Sequence, residues 1–161
     1  MAEILLNKQA LIDANDIKTS SSTAKYGLGF EVETIDENNN VRKYIYVKAG
    51  IAISAKDVVM INPGFVSVAP ATSAFAKLTG ITNVDVAAND YYFAQIKGET
   101  TAVSAGATTA GHFTKLITTL ETVTDSATVV ASTNAVINAT RANAGDVSIT
   151  LLGISSEVAA S

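Results

Sequence analysis

Histidine is the residue that most often acts as general base beside a serine or cysteine nucleophile, and this chain has one, His112. It follows Thr108-Thr109-Ala110-Gly111, a run of small residues that is typical of an exposed turn. The chain has no cysteine and no Gly-x-Ser-x-Gly motif, which excludes thiolate nucleophiles and the serine elbow of hydrolases. We therefore predict a solvated turn histidine and no catalytic residue, so that the protein is not an enzyme.

Carboxylates are the second group that could do chemistry, since glycoside hydrolysis needs two of them facing each other. The chain has 15 Asp and Glu residues, but most stand at predicted turns, and turn formation accounts for those. Residues Asp36 to Asn40 have oxygen ligands at alternate positions, as calcium loops do, yet lack the glycine and closing glutamate of an EF-hand. A hairpin turn is predicted there, with weak calcium binding as the alternative. Since no Walker A or Gly-x-Gly-x-x-Gly sequence is present either, we expect no metal and no cofactor.

Aromatic residues could form a platform for a sugar, and five of them fall in two strand-like runs: Tyr44, Tyr46, Tyr91, Tyr92 and Phe93. Carbohydrate-binding modules usually rely on tryptophan for this purpose, and the chain has none. The alternating pattern places Tyr44 and Tyr46 together on the outward face of their strand. Because tyrosine is enriched at interface cores, we predict that this pair forms a subunit or partner contact.

Composition limits the classes of partner. Hydrophobic residues make up 48% of the chain and charged residues 16%, compared with about 25% charged in ordinary soluble domains. The net charge is -4 and the 11 Lys and Arg residues are scattered, whereas nucleic-acid binding normally requires a basic stripe. No apolar run approaches the roughly 18 residues that span a bilayer, and no signal peptide is recognisable at the start of the chain. We expect neither a nucleic-acid nor a membrane partner.

A β-hairpin is the clearest local pattern. Tyr26, Leu28, Phe30 and Val32 alternate with Gly27, Gly29, Glu31 and Glu33, which predicts an amphipathic strand with one wet face. A second alternating run, from Val41 to Lys48, follows the Asp/Asn-rich turn. Gly27 and Gly29 indicate a bulge or a close approach of another part of the backbone.

Short strands separated by turn signals follow the hairpin. Val58 to Ile61 is predicted to be buried on both faces and to end at the turn Asn62-Pro63-Gly64. Further strands are predicted at Phe65 to Val68, Leu78 to Thr82, Tyr91 to Lys97, Thr100 to Val103, Phe113 to Thr118, Ala127 to Ala131 and Asp146 to Ile154. No strand–helix alternation supports a Rossmann-like sheet. The predicted fold class is all-β, as a compact β-sandwich or a small β-barrel.

A four-residue pattern recurs before several of these strands: Ala, a turn residue, a polar residue and a large apolar residue. It occurs at Ala55 to Val58, Ala88 to Tyr91, Ala110 to Phe113 and Ala144 to Val147. The spacings are irregular, so the pattern predicts turns that lead into strands and not a solenoid repeat.

The N-terminal segment differs from the rest of the chain. Ile4, Leu5, Leu11 and Ile12 fall seven apart in pairs, which fits a short amphipathic helix, while an extended arm fits equally well. A Ser/Thr-rich run over residues 19–23 then resembles a linker. We predict an arm or linker over residues 1–23 and a β-rich domain over residues 24–161, with the four apolar residues of the arm as partner contacts.

The part of the chain from Tyr46 to Phe113 resembles a family of small capsid decoration proteins of tailed phages, also called cement or head-stabilising proteins. A strand leads into Ala49-Gly50-Ile51, and a turn and an aromatic-rich strand end on Gln-x-x-Gly. The matching stretches are Ile53 to Val59, Ala74 to Gly80 and Val86 to Gly98.

The resemblance implies a structural virion protein without catalytic residues. Such proteins bind the major capsid protein on the outside of the expanded shell, commonly as homotrimers, and stabilise it. The expected location is the capsid exterior, after synthesis in the host cytoplasm, and the N-terminal arm would dock by adding a strand to a neighbour's sheet. The alternatives are another virion component, such as a head-fibre base or tail accessory protein, and a carbohydrate-binding or adhesin module.

Overall fold

The fold is built almost entirely of β-strands. A computed structural model describes residues 3–5, 12–69, 77–111, 113–116, 123–126, 135–153 and 155–156. A short 3-10 helix spans Asp16–Lys18. The strands are β1 (Glu3–Leu5), β2 (Glu31–Asp36), β3 (Val41–Ala49), β4 (Val58–Ile61), β5 (Val66–Val68), β6 (Lys77–Ile81), β7 (Tyr91–Ser104), β8 (Phe113–Leu116), β9 (Val123–Ser126), β10 (Ala135–Ile137), β11 (Gly145–Leu152) and β12 (Ser155–Ser156).

Five of these strands close into a small barrel. They pair in the order β3, β5, β4, β6 and β7, and β7 then pairs with β3 to complete the ring. The β3–β5 pair is parallel and the other pairs are antiparallel. The prediction of an all-β fold is therefore confirmed, and of its two architectures the small barrel is the one observed.

The interior of the barrel is filled by aliphatic side chains from alternate positions of its strands. Ile45, Val47 and Ala49 of β3 meet Val59 and Ile61 of β4 and the inward residues of β7. All four residues of β4 are buried, as predicted, because Val58 points the other way and packs in a second cluster. Burial of a Val or Ile side chain contributes about 1.5–3 kcal/mol each, so this interior is the main source of stability.

The long strand β7 belongs to two groups of strands. Its first half closes the barrel, and its second half pairs with β11, which continues to β10, β8 and β9. β9 returns to β7 through one parallel pair, Ser104 with Val123. Between these strands lies the second cluster, in which Ala102 packs with the inward residues of β10 and β11.

Two strands predicted at Tyr91 to Lys97 and Thr100 to Val103 are thus one continuous strand. The glycine between them, Gly98, has a positive φ of 93° and lies beside a register shift in the β3–β7 ladder. A glycine in this position marks a bulge, where the strand bends but the ladder continues. The apparent strand end was therefore a local irregularity.

The recurrent four-residue pattern forms turns at three of its four sites, as predicted, whereas at Ala144 the chain only bends and Gly145 already begins β11. Its second residue has a positive φ at all four sites, namely Lys56, Asn89, Gly111 and Gly145. That left-handed conformation is the one that reverses or offsets the chain before the next strand. His112 follows one of these turns but lies outside the described residues, and so does the strand predicted at Ala127 to Ala131.

Within the described residues, no helix is long and apolar enough to cross a membrane.

Candidate functional site

The Tyr44/Tyr46 pair does not form an exposed contact face. Tyr44 and Tyr46 are 2% and 3% exposed, so the prediction that they lie on a solvent-facing surface is wrong. β3 is buried on both faces: Ile45 and Val47 fill the barrel, while the two tyrosines pack on its outside with Phe93. The same burial removes the proposed sugar platform, since Tyr92 is also fully buried.

The residues that cover this outer face are those before β2. We call residues 12–30 the N-terminal strap. Ile12 and Ile17 of the strap are buried in one cluster with Val32 and the outward side chains of β3 and β7, and Tyr26 and Phe30 pack against that cluster. The part of the predicted arm or linker that lies in the strap is therefore packed on the barrel, and Ile12 contacts its own chain.

Backbone hydrogen bonds fix the strap along β3 and β7. The amide of Gly29 donates to the carbonyl of Tyr46 at 2.8 Å, and the amide of Tyr46 donates to the carbonyl of Phe30 at 2.8 Å. At the other end, Ser21 and Tyr91 exchange two hydrogen bonds of 2.9 and 2.8 Å. The strap thus behaves as an irregular extra strand, and β2 begins only at Glu31, five residues later than the alternation predicted.

Five aromatic rings meet where the strap packs on β3 and β7. Tyr26 stacks on Phe30 with ring centroids 5.6 Å apart and meets Tyr46 edge-on at 5.2 Å. Phe93 lies 4.9 Å from Tyr46, and Tyr91 stacks on Tyr46 at 6.2 Å. Such pairs contribute about 0.5–1.5 kcal/mol beyond the burial of their area.

A polar clasp closes the edge of this aromatic cluster. Asp16 accepts hydrogen bonds from the Lys25 ammonium at 2.6 Å and from the Tyr26 hydroxyl at 2.5 Å. The bond from Lys25, together with that from Tyr26, holds the pKa of Asp16 below its usual value. Burial, reinforced by the bond to Asp16, raises the pKa of Tyr26 to about 12. Tyr46 Oη accepts the amide of Lys25 at 3.0 Å.

Gly29 is a site of close approach, but it lies in the strap and not inside a strand, and the group that approaches it is a side chain and not the predicted backbone. It has a φ of 83°, and a Cβ there would lie 2.6 Å from the ring of Phe65. Phe65 itself adopts a positive φ in the turn after Asn62, where the Asn62 side chain accepts the amides of Gly64 and Val66. A residue with a side chain at position 29 would displace this ring.

The candidate calcium loop is a hairpin turn. Asp36 is 3% exposed, and its carboxylate accepts the amides of Asn38 and Asn40 at 2.9 Å each. Arg42 forms an ion pair with it at 3.1 Å. These donors, with the Asn40 amide the largest influence, hold the pKa of Asp36 below its usual value. Its oxygens are thus already engaged by hydrogen-bond donors, and no group of three potential metal ligands occurs among the described residues.

The other predicted arm residues divide into two groups. Ile4 and Leu5 lie in β1, which pairs with β2 of the same chain, Ile4 opposite Ile35 and Leu5 opposite Thr34. This part of the segment is extended and not helical. Leu11 lies outside the described residues, so its predicted partner contact stays a prediction.

Two shallow grooves lined by described residues lie at the ends of the barrel. The loop-end groove, about 480 Å³, lies where the loops before β4 and β7 meet and includes Ser20, Ile53, Asp85 and Asp90. The charged groove, about 370 Å³, is lined by residues that include Glu31, Glu33, Lys43, Ile96, Lys97 and Leu152. Glu31 and Glu33 are exposed, as the predicted wet face of β2 requires.

Sequence reasoning missed the strap and the charged groove for different reasons. Ile17 stands alone in a polar segment, and the alternation that includes Tyr26 predicted an ordinary hairpin strand, so nothing in the pattern indicates that these residues cover the outer face of β3. The residues of the charged groove come from strands far apart in the sequence, and only the pairing of those strands assembles them.

No protein-family model matches the chain, and no curated protein matches it in sequence.

Proposed function

We propose that this protein is a structural virion component that binds the outer surface of a tailed-phage capsid and stabilises the shell. It acts by contact, as a homotrimer on the major capsid protein, and without catalysis. The observation that supports the proposal is the resemblance of Ala49 to Gly98 to capsid decoration proteins. In the structure this stretch supplies β4, β5, β6 and the first half of β7, and so most of the closed barrel.

The electrostatic and packing properties of the chain are compatible with such a role. A net charge of -4 with scattered basic residues gives no stripe for DNA, which lies inside the shell. The barrel is closed on itself, which leaves few strand edges for unintended pairing.

The packing of the strap on the barrel argues against its use as a free docking arm. Residues 12–30 are occupied in covering the outer face of β3 and β7, so their deletion would uncover an aromatic cluster and destabilise the protein. Loss of capsid binding after such a deletion would then report unfolding and not a lost docking arm. Contacts with the shell are instead proposed for the surface loops, including those that form the loop-end groove.

Binding to isolated shells tests the proposal directly. Expanded capsids of the major capsid protein encoded in the same genome would be mixed with the purified protein, sedimented and imaged by cryo-electron microscopy. We expect regular density on the outer surface and a higher temperature of shell disruption, with unexpanded shells as the control. Absence of binding to expanded shells, or binding only to purified tails, would overturn the proposal.

The carbohydrate-binding alternative loses its main support, because the aromatic residues that suggested it are largely buried. A glycan array with a specific, saturable signal would reinstate it.

A further inference from the structure

The charged groove contains a row of four residues placed side by side on four neighbouring strands. Glu33 of β2 pairs with Lys43 of β3, Lys43 pairs with Lys97 of β7, and Lys97 pairs with Leu152 of β11. All four line the same groove. Adjacent strands lie about 4.8 Å apart, so the row runs acid, base, base and apolar at nearly even intervals.

The charges of this row are unequally satisfied. Lys43 forms an ion pair of 2.6 Å with Glu31. Neither Glu33 nor Lys97 forms an ion pair with any residue that the structure describes, and both are exposed. An unpaired acid and an unpaired base thus flank a lysine that is already neutralised.

Apolar surface adjoins the row. Ile96, which lies in the barrel core, and Leu78, which packs against that core, form the floor of the groove. Leu152 is 37% exposed and is one of three large apolar side chains that are exposed among the described residues. The groove therefore combines apolar surface with charges of both signs.

We propose that the charged groove is a contact between two copies of this chain related by a two-fold axis. An axis passing near Lys43 places Glu33 of each copy opposite Lys97 of the other, because the two residues lie on strands at equal distances on either side of Lys43. A two-fold contact uses one patch twice and therefore requires a patch that is complementary to itself. The row meets that requirement, and Glu31 offsets the approach of the two Lys43 side chains.

This inference is independent of the proposed capsid binding. The trimer proposed on the shell requires a three-fold contact elsewhere on the surface, and a two-fold contact through the groove would join one such unit to the next. It predicts that the particle present at low concentration, whether monomer or trimer, associates reversibly in pairs as the concentration rises. We call this association doubling.

A charge-swap series tests the contact in the full-length protein. Glu33→Lys and Lys97→Glu each place like charges opposite each other, so we expect each to weaken the doubling about tenfold in dissociation constant. The double variant restores opposite charges and should return to within about threefold of the wild-type value. The control is Glu37→Lys, which makes the same charge change at the hairpin turn outside the groove and should leave association unchanged.

Sedimentation velocity over a range of concentrations gives the readout, and unchanged near-ultraviolet circular dichroism shows that each variant is folded. Reduced association in 1 M salt would support the ion pairs, since exposed pairs are screened there. A wild-type mass that is constant at all concentrations, or a double variant no better than the singles, overturns the inference. Wild-type protein applied to expanded shells separates the two proposals, because shell binding by a wild-type protein that does not double in solution refutes only the groove contact.

Discussion

Replacing Ile17 by alanine tests whether the strap is part of the folded core. Ile17 is 5% exposed and packs with Ile12, Val32 and Phe93. The substitution removes three carbon atoms, and at about 0.8 kcal/mol for each, the loss of hydrophobic transfer alone is about 2.4 kcal/mol. The cavity left behind adds to this, so we expect the free energy of unfolding to fall by about 2–4 kcal/mol.

Leu28→Ala is the matched control. Leu28 lies in the same strap, but its side chain is 41% exposed, so its truncation should change the free energy of unfolding by only about 0.5 kcal/mol. Both variants keep the backbone hydrogen bonds of the strap. The difference between them therefore isolates side-chain packing against β3 and β7.

Urea denaturation followed by far-ultraviolet circular dichroism measures both values, and near-ultraviolet circular dichroism reports the order of the aromatic rings. We expect Ile17→Ala to lower the urea midpoint and to leave the slope of the transition unchanged. If Ile17→Ala costs no more than Leu28→Ala, the strap is not packed as described, and residues 12–23 would be the linker that the sequence suggested.

Three further results are expected. Gly98→Ala should destabilise the protein by about 2 kcal/mol or more in thermal unfolding, because Gly98 has a positive φ and a Cβ there would meet a β3 carbonyl. Gly106→Ala is the control and should not destabilise the protein, because the space around Gly106 is open. Equal effects of the two substitutions would refute the bulge. Tyr26 should ionise near its raised pKa of about 12 in an ultraviolet titration compared with Tyr26→Phe. The contribution of its neutral hydroxyl to stability is therefore fully present below pH 10 and is lost as the pH rises through 12. An ordinary tyrosine titration would refute the hydrogen bond to Asp16. Because the pKa of Asp36 is lowered, the contribution of its carboxylate to stability is present above the ordinary pKa and is lost as the pH falls through the lowered value. Asp36→Asn should therefore melt at a lower temperature than wild type at pH 7, and its melting temperature should fall less in acid. An acid profile like that of wild type in this variant would contradict the turn geometry.

Local patterns predicted local structure well. The hairpin followed from alternation around Asp36 to Asn40, since strand period and turn chemistry act over only a few residues. Three turns, at Ala55, Ala88 and Ala110, followed from a small-residue pattern in the same way. Gly98 was misjudged because a glycine that ends a strand and one that bends it look alike in sequence.

Burial by distant segments could not be predicted from the pattern. Tyr44 and Tyr46 alternate with aliphatic residues, which normally means one dry and one wet face. The wet face is dry here because residues 12–30 cover it, and no local pattern in that segment indicates that it packs on β3. The charged groove has the same origin, because Glu33 and Lys97 are brought into one row only by the pairing of both their strands with β3. Tertiary contacts, and not local propensity, decide whether such faces are buried or exposed.

Closure of the barrel also sets when the protein can fold. The pair that closes the barrel joins Lys43 of β3 to Lys97 of β7. More than fifty residues must therefore be synthesised after Lys43 before Lys97 exists. Pairing over such a separation makes folding slow, on the order of milliseconds to seconds. During translation the β2–β3 hairpin can form early, but the tyrosines of β3 and the residues that cover them acquire their full environment only when β7 has left the ribosome. Until then the nascent chain exposes its most aromatic surface, and this interval is when chaperones would be expected to bind it.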